Sequence, residues 1–259
     1  MKASPRNSAD DVPRIDLNCD LGEAAGHDAE LMPLITSANI ACGAHAGDEA
    51  TMRASVALAQ RHGVRIGAHP GFEDRENFGR RELAISPVEA GLLVFGQIQR
   101  LQRIAAETGV RVHHVKLHGA LYNLAARDYD LAVMIAGAIQ TTDRDPLMYS
   151  PAGSQLVRAA NLIGLKVASE VFADRTYQCD GSLTPRARAD ALITDEELAV
   201  AQVLRMVREG VVRSTDGIDV PITADTVCLH GDGPQAVAVA RRLRHELARA
   251  EIEIKAFGP

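Results

Sequence analysis

The sequence predicts a single β/α barrel of about seven parallel strands, and three observations carry that reading. Short apolar, strand-like segments alternate with longer amphipathic ones along the chain. No shift in composition and no Pro/Gly/Ser-rich linker divides the 259 residues, a length that suits one large barrel. Ionisable residues recur just past the apolar part of successive strand-like segments, where a barrel would gather them at one mouth. An open doubly wound sheet brings together only the strands flanking its switch point, so it accounts for fewer of them. The expected layout is a flexible polar lead over 1–13 and one barrel domain over 14–259.

Strand character falls at 14–19, 37–44, 64–69, 112–118, 146–150, 165–173 and 225–230. The helices between carry their own punctuation. In "SPVEAGLLVFGQIQRLQRIAAETG", Ser86 is the N-cap, Pro87 sits at N1 and Glu89 completes a capping box. Leu92, Leu93, Gly96, Leu101 and Ile104 recur at helical spacing, and Gly109 ends the run. "TDEELAVAQVLRMVREG" repeats the pattern, with Thr194 and Glu197 as the box and Gly210 as the stop. Asp48 and Asp128 begin two more helices, "GSQLVRAANLIG" closes at Gly164, and the last helix starts at Pro234. "VVRSTDGIDVPI" breaks the alternation: Asp-Gly between two β-type runs predicts a hairpin before the final strand.

Bulk composition narrows the function classes. A hydrophobic fraction of 46% with 24% charged residues suffices for a substantial core. A net charge of −6 without any Lys/Arg block argues against a nucleic-acid surface and against polybasic membrane attachment. A small anionic substrate held by a few local cations stays open. No run approaches the roughly 20 apolar residues a membrane helix needs. "MKASPRNSADDVPR" has no apolar centre, so it does not read as a secretory signal. The four cysteines show no C-x-x-C, and Cys19, Cys42 and Cys228 fall in apolar runs. A reduced, cytoplasmic protein is expected.

The first strand, "IDLNCDLGE", raises the sharpest question. Strand side chains alternate faces, so Asp16, Asn18 and Asp20 share one side and Ile15, Leu17, Cys19 and Leu21 the other. A solvated antiparallel edge would explain that pattern blandly. The other segments favour the barrel interior instead. The first ends in Asp20 and Glu23, the second in His45 and Asp48, the third in His69, and the fifth in Ser150. The fourth carries Lys116 and His118, the sixth Glu170, Asp174 and Arg175, and the seventh His230 and Asp232. With the strand rising ~3.3 Å per residue, Asp20 lies nearest the mouth and Asp16 deepest. A deep carboxylate needs a cation or several donors.

Bland readings compete at several of these positions. Asp48 serves as a helix cap before anything else. A buried Lys116 needs a carboxylate or an anionic ligand as partner. His114 and His118 look like a metal pair only on a helix; on a strand their Cα atoms are ~13 Å apart. His113 faces the other way and reads as structural. "GRRE" at 79–82 is either a solvated charge cluster or an anion clamp. The chain has no G-x-x-x-x-G-K-[ST] loop, no G-x-G-x-x-G after a strand and no G-x-S-x-G elbow.

At "IDLNCDLGE", "SANIACGAHAGD", "IGAHPG", "HVKLHGALYN", "EVFADRTY" and "VCLHGD" the chain resembles the LamB/YcsF family, the A subunits of 5-oxoprolinase. The match runs in order from about Ile15 to the C-terminus. It implies an irregular seven-stranded β/α barrel of the glycoside hydrolase/deacetylase type. It also implies ATP-dependent opening of 5-oxoproline to glutamate, with subunits B and C as partners. The departures are an abbreviated "AAGHDAE" loop at 24–30, Ala44 for a common Phe, Leu117 for a common Pro, and "TPRARADALI" without a Pro-Gly. None removes a candidate chemical group, though the short loop alters whatever it would contact.

Under that resemblance Asp20, His45, His69, Lys116, His118 and His230 are the catalytic candidates. Asp16, Asn18, Glu23, Asn39, Glu170, Asp174 and Asp232 are expected to line the substrate. The substrate carboxylate calls for an arginine, for which Arg80, Arg175 and Arg186 are candidates. ATP is the expected cofactor, and the missing phosphate loop is consistent with a nucleotide held mainly by a partner subunit; spacing alone leaves a divalent metal undetermined. Two other classes stay open: a stand-alone metal-dependent amidase or carbohydrate deacetylase, and a non-catalytic substrate-binding subunit.

Overall fold

A computed structural model describes residues 12–24, 26–229 and 236–258. The lead, apart from Val12 and Pro13, therefore lies outside the described residues, as do His230, Asp232 and the expected helix start at Pro234. Six parallel strands run in chain order: β1 (Arg14–Leu21), β2 (Ser37–Ala41), β3 (Arg65–His69), β4 (Val112–Lys116), β5 (Leu147–Pro151) and β6 (Lys166–Phe172). The hairpin β7 (Val211–Arg213) and β8 (Asp219–Pro221) follows, antiparallel as Asp-Gly predicted, with Gly217 at φ +73° in its turn. Strand β9 (Thr226–Leu229) then pairs with both β6 and β1 and closes a seven-stranded barrel. A short β10 (Glu253–Ile254) joins β1 at Arg14 and Ile15, at the end away from the mouth.

The helices are α1 (Asp28–Leu31), α2 (Glu49–His62), α3 (Pro87–Ala106), α4 (Gly119–Arg127), α5 (Tyr129–Gln140), α6 (Gln155–Ile163), α7 (Glu196–Glu209) and α8 (Ala236–Arg249). Their starts follow local chemistry. Ser86 and Glu89 form the expected capping box, and Asp48 and Asp128 accept from Thr51 N and Leu131 N. Helix α7 differs from expectation: Asp195, not Thr194, is the cap, accepting from Glu197 N and Leu198 N. On α3 the buried stripe is Ala90, Val94, Gln97, Ile98, Leu101 and Ile104, whereas Leu92 is 66% exposed. Periodicity fixes the spacing of an apolar face but not its phase when apolar residues crowd a helix. Helix α4 has no counterpart in the sequence pattern, which extends strand character to His118. The strand stops at Lys116, and His118 is instead the residue before the helix.

The two faces of the barrel wall differ in chemistry. The outward side chains, among them Ile15, Leu17, Cys19, Ile40, Ile66 and Val227, are buried against the helices in one large apolar core. Inside, Leu147, Tyr149 and Ala168 form a separate small cluster with Phe257 packed against it. Above that the interior is polar. Parallel register brings the inward residues level: Asp16 with Thr226, Asp20 with Asn39, Gly67 with His114, and Lys116 with Tyr149.

Gly67 shows how tightly this interior is filled. A Cβ there would lie 2.2 Å from His114 Nε2. The imidazole cannot retreat easily, because it stacks on Tyr149 at 4.0 Å and its Nε2 lies 2.7 Å from Asn39 Oδ1. Gly67→Ala is therefore expected to cost about 1–3 kcal/mol in denaturant unfolding through overpacking. Unchanged stability would show that the ring has room to move.

Candidate active site

The inward row of β1 organises the site by depth. Asp16, at the bottom, is fully enclosed and accepts from Thr36 Oγ1 at 2.6 Å, Ser37 Oγ at 2.7 Å and Thr226 Oγ1. Burial pushes its pKa above the usual carboxylate value, and the hydroxyl donors work against that rise. Its partners are hydroxyls rather than a cation, and it does not reach the mouth. One step up, Asn18 Nδ2 donates to Glu170 Oε1 at 2.9 Å and to Thr226 Oγ1 at 2.8 Å. Asn39 Nδ2 donates to Asn18 Oδ1 at 2.7 Å and to Asp20 Oδ1 at 2.8 Å.

Lys116 occupies the centre of this network. Its Nζ lies 2.9 Å from Asp20 Oδ1, 3.0 Å from Glu170 Oε1, 3.2 Å from Asn18 Oδ1 and 3.0 Å from Cys228 Sγ. Burial acts against the charge, but Asp20 above all, with Cys228 and Glu170, outweighs it and holds the ammonium well above the usual lysine pKa. Glu170 Oε2 accepts from the Tyr122 hydroxyl, so both of its oxygens are engaged.

Nearer the mouth, Glu23, His45, His69 and His118 converge. Glu23 Oε1 lies 3.1 Å from His45 Nε2, 3.1 Å from His118 Nδ1 and 3.6 Å from His69 Nε2. His69 Nε2 is also 3.3 Å from Asp20 Oδ2, which ties this group to the lysine cage. The His45 and His118 rings stack at 3.7 Å. Burial drives the His45 pKa down to about 4, against a hydrogen bond to Glu23. Glu23 lies at about 2, because contacts with His118 and His45 outweigh the upward push of burial. For His69 burial pulls the pKa down, but Asp20 prevails and raises it. Among the described residues these four offer the donor set able to hold a metal ion, one ligand atom each, all within 4.8 Å of one another.

Loops from different strands position these groups. Gln97 on α3 clamps Gly71 through its N–H at 3.1 Å and its carbonyl at 2.8 Å. Arg75 donates to the carbonyls of Gly43 (2.9 Å) and Gly47, fixing the loop that carries His45. Gly79, at φ +63°, lies so close that a Cβ would sit 2.8 Å from His45 Cβ and 3.0 Å from His118 Cδ2. Phe78 just before it, at φ 54°, turns its carbonyl to His118 Nε2 at 2.8 Å. A non-glycine residue in that region stores strain, and here the strain orients a histidine.

The remaining candidates lie apart from this cluster or at its lip. The Arg80 guanidinium sits 5.1 Å over the Phe78 ring, itself 5.5 Å from His118. Arg175 is buried and donates to the carbonyls of Thr184 at 2.6 Å and Ala191 at 3.4 Å, organising the segment after β6. Asp174 accepts through its main-chain carbonyl from Ile193 N at 2.8 Å, and Arg186 is exposed. Sequence reasoning passes over Tyr122, Thr226, Cys228, Phe78 and Gln97. Tyr122 follows His118 by four residues, a helical spacing that pairs them once α4 is recognised. Thr226 and Cys228 share the inward alternation of their strand.

A closed parallel barrel with caged ionisable groups at its carboxyl mouth has the architecture of β/α-barrel enzymes. The chain belongs to the LamB/YcsF family, whose profile matches residues 15–259. It is 53% identical over 249 residues to the 5-oxoprolinase A subunit of Bordetella pertussis, covering 94% of this chain and 99% of that one. The crystal structure of the lactam utilization protein from Thermus thermophilus superimposes with a TM-score of 0.89 at 44% identity, over 94% of this chain and all of that one. The catalytic domain of a peptidoglycan N-acetylglucosamine deacetylase from Eubacterium rectale shares the fold, with a TM-score of 0.51 at 12% identity over 99% and 95% of the two chains. Among the described residues no helix is long and apolar enough to cross a membrane.

Two outcomes follow from the electrostatics. Lys116→Met would leave Asp20 and Glu170 without their cation, a loss of about 3–5 kcal/mol for a broken buried pair. The deficit should shrink on acidification, since protonated carboxylates no longer need Lys116. Urea unfolding of both proteins at pH 5 and pH 8 measures it, and a pH-independent deficit would refute the pairing. Burial, first of all, also holds His114 well below its usual pKa of 6.5 and His113 at about 4. The unfolded chain takes up those protons below pH 6.5 and the folded chain refuses them. Stability should therefore fall from pH 6.5 toward 4, by up to ~1.4 kcal/mol per pH unit for each histidine. His69, with a raised pKa, adds no slope there, because its contribution is complete below pH 6.5 and lost only at higher pH. A flat unfolding profile over that window would mean that His113 and His114 titrate normally.

Proposed function

We propose that this chain is the lactam-opening subunit of a cytoplasmic, ATP-dependent 5-oxoprolinase that converts 5-oxo-L-proline to L-glutamate, ADP and phosphate. The observation that carries the reading is the Lys116–Asp20 pair at 2.9 Å, in a chain 53% identical to a 5-oxoprolinase A subunit over nearly its full length. The Asp20 side chain is 13% exposed and that of Lys116 only 3%, so the carboxylate faces the mouth with the cation behind it.

A five-membered lactam is a stable amide and needs activation. Phosphoryl transfer from ATP to the lactam oxygen makes C5 electrophilic. Water then adds at C5, the ring C–N bond breaks with a proton passing to nitrogen, and a second water releases phosphate. Asp20 takes the proton of the attacking water, and Lys116 with His118 stabilises the charge developing on oxygen. Arg80, at the lip, receives the substrate carboxylate. The nucleotide is held mainly by partner subunits, the B and C components that the lettered naming of the relatives implies.

The test is 5-oxoproline turnover by this chain alone and with each partner subunit, with and without ATP, for the wild type and Asp20→Asn. Turnover requiring ATP and partners is expected, with a loss of roughly 10²–10⁴-fold in the variant. Turnover by this chain alone without ATP would identify a stand-alone amidase. Full activity of the Asp20→Asn complex would leave this chain a substrate-binding role only.

A further inference from the structure

A neutral imidazole carries one N–H, and its partner decides which nitrogen holds it. His69 Nδ1 lies 2.8 Å from the main-chain carbonyl oxygen of Lys116, and His118 Nε2 lies 2.8 Å from that of Phe78. A carbonyl oxygen only accepts, so each ring commits its hydrogen there. His69 Nε2 and His118 Nδ1 are then bare lone pairs, yet the fold holds them 3.0 Å apart. Glu23 Oε1 adds a third acceptor, 3.1 Å from His118 Nδ1 and 3.6 Å from His69 Nε2. His45 closes the set with Nε2 at 3.1 Å from Glu23 Oε1, and its buried Nδ1 has no hydrogen-bond partner.

This arrangement is electron-rich at its centre and lacks hydrogens to share. One extra proton would satisfy one of these contacts; a cation among them satisfies all. We propose that Glu23, His45, His69 and His118 form a binding site for a single divalent transition-metal ion of the Zn²⁺ class. Three imidazoles and one carboxylate suit such a borderline ion, whereas Mg²⁺ and Ca²⁺ prefer oxygen throughout. With metal–ligand bonds of about 2.0–2.1 Å, a tetrahedral ion spaces its ligands about 3.3–3.4 Å apart. The four separations above, from 3.0 to 3.6 Å, straddle that value. The carbonyls of Lys116 and Phe78 are the outer partners that metal-ligating histidines use to fix their tautomer.

The surroundings fit an ion and little else. Gly71 and Gly79 pack so closely that a Cβ on either would come within 2.9 Å of His45. Asp20 Oδ2, 3.3 Å from His69 Nε2, borders the site, so a bound ion would lie beside the proposed general base. There it would supply a Lewis acid able to polarise an oxygen or acidify a water. The site rests on donor geometry and does not depend on the lactam reading.

The test is direct binding. Full-length protein is stripped with chelator, dialysed, and titrated with Zn²⁺ by calorimetry and with Co²⁺ by visible absorption. One ion per chain is expected, with Co²⁺ bands of four- or five-coordinate nitrogen ligation and a Zn²⁺-dependent rise in melting temperature. Glu23→Gln and His69→Gln should each weaken binding roughly 100-fold or more, at least as much as loss of an outer partner. Cys179→Ser, which removes the exposed thiol, should leave it unchanged. No stoichiometric binding by the wild type would overturn the proposal and leave a proton between His69 and His118. So would binding that survives in folded ligand variants or disappears in Cys179→Ser. Should a ligand variant fail to fold by circular dichroism, the wild-type stoichiometry and Co²⁺ spectrum decide alone.

Discussion

The buried ammonium of Lys116 is the interaction on which the barrel interior depends. An amine carried into the middle of a closed sheet loses its hydration, and only fixed partners compensate. Here Asp20 and Glu170 supply charge at 2.9 and 3.0 Å, while Asn18 Oδ1 supplies a third acceptor at 3.2 Å. Each partner is itself held in place. Asn18 is oriented by its donation to Glu170 and Thr226, Asp20 by Asn39, and Glu170 by Tyr122. Few of these side chains could move without leaving a buried polar atom unmatched, and that requirement keeps the centre in one arrangement.

Below Lys116 the same requirement is met without charge pairing. Asp16 is surrounded by hydroxyls from Thr36, Ser37 and Thr226, and Ser37 is linked in turn to the Tyr149 hydroxyl at 3.1 Å. The interiors of β/α barrels are commonly filled with layers of branched apolar side chains. This one keeps its apolar material outside the wall and in the small Leu147–Tyr149–Ala168 cluster. A polar filling contributes less to stability than an apolar one, so a function for the interior is the natural explanation of its retention.

Much of this is legible in the sequence because strands and caps obey local rules. Alternation in "IDLNCDLGE" separates the face of Asp16, Asn18 and Asp20 from the apolar face, and the register of β1 with β2 and β9 places that polar face inside. The misses share a cause in tertiary context. The Lys116–Gly119 turn ends a strand and begins α4 with no side-chain cap, so no local signal separates the two elements. Leu92 is apolar but sits on the outward face of α3, a matter of phase that only packing settles. Arg175 follows a strand among site residues, as a substrate clamp might, but its donors go to the carbonyls of Thr184 and Ala191. Which acceptor an arginine finds across a loop cannot be read from spacing.

Asp20 joins the two halves of the site, and its chemistry explains why a carboxylate stands there. Oδ1 accepts from Lys116 and Asn39 at 2.9 and 2.8 Å, while Oδ2 faces His69 Nε2 at 3.3 Å. An asparagine could accept on one side only and would turn an amide toward the other. Placed toward Lys116, that amide would oppose two donors with a third. Placed toward His69, it would hydrogen-bond the ring nitrogen but surrender the negative charge that balances Lys116 and raises the His69 pKa. The carboxylate can serve both neighbours because both of its oxygens accept. A change in charge among Glu23, His45, His69 and His118 therefore reaches Lys116 through one side chain, and the lysine cage and the histidine cluster act as one electrostatic unit.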